Sequence, residues 1–489
     1  MTIMGRGSNI LLILFALVLV SGKNSISSQL KDFEVFKNVI TQKEGRLDLH
    51  TSIDSIQFHL EALKDNLSKD KSDLEQYKAY SFTLSKIQCG HTQIHPTKAV
   101  MRDWLSARNS LPLDYLIQGK KLYSNKLLPQ DNQFIHDGKS KSERAKKIKS
   151  FSEIVSIDGK SLHEMMLEIS PYISSDEDGI DFKYFQVAQL FEFYRHMSQP
   201  FQKDSIYVRY IESKDTLGIY FKTGTSPVNT MNLRLKQMSD AFAIKEKNIG
   251  SFEIVRSNVG YFRFESFKKS YGPGYELFLD ASFKKIRDKK IEKLIIDLRG
   301  NTGGAMQYSF MRYFVGEDTV LGRYVVEKPK KGFEDRHIRK WNFDYYKHIR
   351  MSRVQKRKSR RGVFDAGEIR TKSVKDDLRF DGDIVVVTDE GTFSAASILA
   401  CHLKTLCNAQ IIGRTAGGSF YQGNAGSLIA QLPNSGFKLF VNPNTFYSHL
   451  TDIADPIAIK QPDIDLNPGY LKPRKMDDYY LKAAIHAFD

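Results

Sequence analysis

Cysteine is scarce in this chain of 489 residues: Cys89, Cys401 and Cys407 are the only three. That number and placement exclude a disulfide framework, so the fold has to be held by its own core. No C-x-x-C pair, no H-E-x-x-H and no histidine cluster at metal-ligand spacing occurs, and no metal is expected. A Walker loop and a G-x-G-x-x-G turn are missing too, which removes the usual nucleotide-dependent chemistries and leaves no cofactor to expect. The apolar run Ile10–Val20 has 11 residues, short of the ~20 that span a bilayer.

What is present is ordinary for a globular protein, with 41% hydrophobic and 27% charged residues. The net charge of +16 makes an acidic partner worth considering. Much of the excess is local, because residues Glu327 to Arg361 hold 14 basic and 4 acidic side chains, among them Lys356, Arg357, Lys358, Arg360 and Arg361. A solvated insertion, spanning about 327–377, accounts for such a run. Without interleaved aromatic recognition residues, nucleic acid is not an expected partner.

Residues Met1 to Gly22 carry Arg6, then the apolar run, then Ser21 and Gly22, the order of a secretory signal peptide (1–22). The expectation is an exported protein, periplasmic or extracellular, with no integral membrane segment once the signal is removed. From 23 to 110, apolar residues such as Phe33, Phe36, Val39 and Ile40, then Ile56, Leu60, Leu63 and Leu67, recur at three and four and predict helices. Short alternating strands with turn signals at Asp158-Gly159 fill 111–225, and strands alternate with helices over 250–489, which predicts an α/β core.

Two segments of that core have chemical potential. Strand-like Lys293–Leu298 runs into Arg299-Gly300-Asn301-Thr302-Gly303-Gly304, where glycines let backbone N–H groups approach a ligand atom. Strand-like Asp383–Thr388 runs through Gly391-Thr392-Phe393-Ser394-Ala395-Ala396-Ser397 into a helix, with Ser394 at the turn. Ser394 there suits a nucleophile, and a helix-capping role for Ser394 or Ser397 competes with that reading.

The ordered pieces D-L-R-G-N-x-G-G, T-x-S-A-x-S and Ile411-Ile412-Gly413-Arg414-Thr415-Ala416-Gly417-Gly418 resemble the tail-specific (C-terminal processing) protease and tricorn-core serine peptidase superfamily, over about 255–466. The resemblance implies a ClpP/crotonase-like core with a PDZ-like substrate-binding domain, acting on polypeptide substrates. It also implies Ser394 as nucleophile and the amides of Gly303, Gly304 and Ala395 as oxyanion-hole donors. The Ser-Lys branch has a lysine at the position of Ser419, and no lysine occurs from Ile411 to Leu432. The tricorn-like branch uses an upstream histidine, matched by Cys89-Gly90-His91-Thr92. His91 is therefore the expected base, with His95 as competitor. An acid close to the chain end completes that branch's triad; Asp455 is its expected counterpart and Asp452 the reserve. The expected activity is serine endopeptidase hydrolysis, and the alternative is an inactive protein that binds peptides or apolar ligands on the same fold. Oligomeric state is not expressed in any of these features.

Overall fold

A computed structural model describes residues 25–104, 111, 113–127, 134–135, 148–177, 179–199, 203–222, 249–268, 272–326, 332–340, 364–374, 376–449, 456–467 and 473–489. The signal-like segment 1–22 and the basic cluster Lys356 to Arg361 lie outside them. No helix among the described residues is long and apolar enough to cross a membrane.

Three capped helices open the described chain. Ser25 caps Ile26–Lys43 and Ser52 caps Ile53–Leu67, while Ser72 and Glu75 form a capping box on Asp73–Ser85. Their apolar stripes, Phe33, Phe36, Val39 and Ile40 on the first and Ile56, Leu60, Leu63 and Leu67 on the second, are buried as the three-and-four spacing predicts. They share one core with a middle antiparallel sheet and with the hairpin Leu428–Gln431 and Lys438–Val441.

The middle sheet has six strands in the order Leu113–Gln118, Lys121–Leu127, Glu153–Ile157, Ser205–Glu212, Asp215–Lys222 and Phe134–Ile135. A capping box, Ser161 with Glu164, starts the helix Leu162–Ile169 that follows its third strand. Leu113–Gln118 is an edge strand.

The second core surrounds a mostly parallel sheet ordered Ile464–Asp465, Gln410–Gly413, Asp383–Thr388, Lys293–Asp297, Val259–Arg263 and Ser251–Arg256, the last of these antiparallel to its neighbour. Ile296 lies opposite both Val386 and Phe262. Helices cover both faces of such a sheet, which is why Leu294 to Ile296 and Val385 to Val387 read as unbroken apolar runs. The mixed α/β class is thus the one expected. The C-terminal ends of the three central parallel strands, where α/β folds place ligands, open into the glycine turn, the Ser394 turn and the Arg414–Ser419 turn.

Long-range polar contacts lock the helical region onto the rest. Asp32 accepts the N–H groups of Asn434 (2.8 Å) and Ser435 (2.7 Å), and buried Lys43 pairs with Glu334 (3.1 Å) and Asp335 (2.7 Å). Glu44, fully buried, accepts from the Asn442 amide N–H (3.0 Å) and from Asn424 Nδ2 (2.8 Å). Burial pushes its carboxyl up from 4.5 to about 7, against the opposing pull of these hydrogen bonds.

A raised carboxyl holds a proton in the folded protein that the unfolded chain releases, so its contribution is complete below pH 4.5 and is lost as pH rises through about 7. Glu44→Gln should remove this loss. Urea unfolding at about pH 5 and about pH 8 should show the parent losing about 2.5 kcal/mol more than the variant between the two, since part of the loss from the shift of 4.5 to about 7 already lies below pH 5.

Candidate active site

The turn after Asp383–Thr388 is held from three sides. Asp389 Oδ1 accepts the N–H groups of Gly300 (2.8 Å) and Gly391 (3.0 Å), Thr392 Oγ1 donates to the Leu298 carbonyl (3.0 Å), and the Phe393 N–H donates to the Asn301 carbonyl (3.0 Å). These bonds force Ser394 into φ 55°, ψ −124°, a conformation non-glycine residues rarely adopt. Ser394 precedes the helix Ala395–Cys407 yet makes no capping bond, so the helix-cap alternative does not describe it. Ser397 is the structural serine: its buried hydroxyl donates to the Thr392 carbonyl (2.9 Å).

His91 arrives from the far end of the chain because Gln93–His95 pairs antiparallel with Lys438–Val441, Ile94 opposite Leu439. Its Nε2 lies 2.9 Å from Ser394 Oγ. The ring packs against Phe393 at 4.7 Å, and Phe393 stacks on Phe182 of the helix Ile180–Gln189 at 4.4 Å and 8°. Burial lowers the His91 pKa below 6.5, with the Asp176 charge pulling it back up, so at neutral pH the ring is uncharged and free to accept a proton. His95, the competitor, bonds to Gln93 Oε1 (3.1 Å) and packs on Phe440, and burial pushes it down to about 3.

Asp176 has no counterpart in the sequence reading. Its Oδ1 accepts the Gly90 N–H (2.8 Å) and its Oδ2 the Ser419 N–H (2.9 Å), so one buried carboxylate joins the histidine turn to the turn after the next parallel strand. Ser419, at the position of the missing lysine, contributes its amide to this bridge. Asp455 and Asp452 lie outside the described residues. Among the described residues, Cys89, His91 and Asp176 are the group of donors placed to hold a cation, with their ligand atoms within 4.8 Å of one another.

The glycine turn sits directly against the nucleophile. A Cβ on Gly303 (φ 98°) would lie 2.7 Å from Ser394 Cβ, and one on Gly304 would lie 2.0 Å from the Phe267 carbonyl oxygen. Of the three amides expected as oxyanion donors, that of Gly303 is spent on Asn301 Oδ1 (2.9 Å). Asn301 itself is fully buried and also donates to the Phe264 carbonyl (3.2 Å), fixing the turn to the neighbouring strand. Behind the Ser394 turn, a cleft of about 430 Å³ opens between the edge hairpin and the strand ends, lined by Leu116, Lys120, Tyr184, Arg299, Glu390 and Arg414.

The profile of the family described as Peptidase family S41 matches residues 258–448. The carboxy-terminal processing protease CtpB of Bacillus subtilis (strain 168) is similar at 27% identity over 228 residues, which cover 45% of this chain. The match spans 38% of that relative's length, less than half of it. Among solved structures, mature CPAF is similar with a TM-score of 0.59 and 13% identity, over 90% of this chain and 93% of the other. Mature CPAF complexed with lactacystin gives 0.57 and 12%, over 90% and 94%. At these identities the structural likeness is one of fold.

Asp176→Asn keeps the volume but faces one of the two amide donors with an N–H₂ group and removes the charge beside the imidazole. Losing a charge-assisted acceptor at a buried site should cost about 1.5–3 kcal/mol in urea unfolding. NMR titration of the His91 ring should move to lower pH, because Asp176 is the group that raises it. An unmoved titration would mean that the carboxylate does not act on the ring.

Proposed function

Residues 258–448 match the profile of peptidase family S41, and on that premise we propose that the chain is an exported serine endopeptidase of the Ser-His type. The observation that carries this reading is the 2.9 Å separation between the His91 ring and the Ser394 hydroxyl. In the proposed reaction His91 Nε2 takes the hydroxyl proton as Ser394 Oγ bonds to a peptide carbonyl carbon. The oxygen that becomes negative is held by the Gly304 and Ala395 amides, and the imidazolium then protonates the leaving amine. Water, deprotonated by the same ring, releases the acyl group.

Asp455 is the proposed acid that steadies the imidazolium. In support, it immediately precedes the helix Pro456–Lys460, whose Lys460 Nζ lies 3.3 Å from Glu177 Oε2, next in chain to Asp176. Asp176 adds negative charge near the ring without a hydrogen bond to it. The PDZ-like role implied for 111–225 is assigned in this reading to the middle sheet, whose edge strand Leu113–Gln118 borders the 430 Å³ cleft. Export rests on residues Met1 to Gly22.

Ser394→Ala and His91→Ala should each fold and hydrolyse an unfolded protein at least about 100-fold more slowly than the parent. A parental rate in Ser394→Ala would refute the assignment. Since only the neutral ring accepts the proton and burial depresses its pKa, kcat/KM should rise with pH to half its plateau below pH 6.5. A half-rise well above 6.5 would point to a different base.

A further inference from the structure

Cys89 and His91 stand two residues apart on the turn before Gln93–His95, and Asp176 reaches them from 85 residues downstream of His91. A thiol sulfur, an imidazole nitrogen and a carboxylate oxygen from these three residues lie within 4.8 Å of one another. Cys89 is a free, buried cysteine, and Asp176 is buried. His91 Nε2 is committed to Ser394, whereas Nδ1 is buried with no hydrogen-bond partner among the described residues. A buried imidazole nitrogen left without a partner requires explanation, since such groups are nearly always paired.

We propose that Cys89, His91 and Asp176 form a binding site for Zn²⁺, and that its occupation switches the catalytic centre off. The donor set of one thiolate, one imidazole and one carboxylate suits this ion's borderline softness. Tetrahedral Zn²⁺ with bonds of about 2.0–2.3 Å keeps its donors about 3.3–3.8 Å apart, so side-chain adjustments of about 1 Å close the site. Asp176 is already oriented by its two amide donors, and the fourth position stays open to water.

The consequence for the reaction, which rests on the reading of His91 as the general base, follows from proton placement. On binding, the Cys89 thiol gives its proton to solvent and the metal takes the Nδ1 lone pair of His91. The ring's one proton then resides on Nε2. An Nε2–H can only donate to Ser394 Oγ and cannot accept from it. Metal binding also occupies the ring nitrogen that the orienting acid serves in the working triad, so the two states exclude each other.

The test uses the full chain, purified and stripped with EDTA. Co²⁺ should titrate in with one equivalent and produce a sulfur-to-metal charge-transfer absorption, which Zn²⁺ displaces and which is absent from both Cys89→Ala and Cys89→Ser. Zn²⁺ at slight excess should slow hydrolysis of an unfolded protein by about 100-fold, the worth of a general base, with recovery on chelation. Both Cys89 variants should keep the parental rate in metal-free buffer and lose the Zn²⁺ sensitivity. Absence of the thiolate band, or equal inhibition of parent and variants, would overturn the proposal. A parent inactive without metal would sink the peptidase reading instead, while the cobalt spectrum would still decide the site.

Discussion

The buried carboxylate of Asp176 is the interaction on which the arrangement of the centre depends. It has an oxygen for each of two amides, Gly90 and Ser419, that belong to segments more than 300 residues apart in the chain. A carboxylate in that position without partners would be costly, and the amides without it would be buried donors left unsatisfied. Each part therefore enforces the other. The strand pairing of Gln93–His95 with Lys438–Val441 brings the histidine turn into the neighbourhood, and Asp176 sets its final distance from the serine.

On the other side of the 2.9 Å contact, Ser394 is held in a conformation that costs about 1–3 kcal/mol relative to ordinary backbone. Asp389, Asn301 and the missing side chain of Gly303 hold it there. The strain aims the hydroxyl at the ring instead of at the first turn of its own helix. The parallel sheet supplies the rigidity for this, since the glycine turn and the serine turn leave adjacent strands in register, Asp297 opposite Val387. The aromatic contact from Phe182 through Phe393 to His91 links the middle region to the same point.

Local pattern made much of this legible. The helical stripes of the first 60 described residues, the unbroken apolar strands and the glycine and serine turns all depend on residues near one another in sequence, and they stand where the spacing placed them. His91 was legible only because its short motif resembles a family's; its periodicity says nothing. Asp176 could not be found this way. It lies in a short irregular link, Ser174-Ser175-Asp176-Glu177, and its partners are set by tertiary packing alone. The engagement of the Gly303 amide was equally hidden, because it turns on where Asn301 points its side-chain oxygen. Glu44 is a helix-end glutamate in sequence and a buried acid in the fold for the same reason.

The central claim is that one imidazole makes one hydroxyl nucleophilic, and covalent capture tests it most directly. A fluorophosphonate reacted with the folded protein and located by peptide mass spectrometry should be found on Ser394, at about one per chain, and should fail to attach when His91 is replaced by alanine. Attachment at another serine, or undiminished attachment to Ser394 in the His91→Ala protein, would contradict the account.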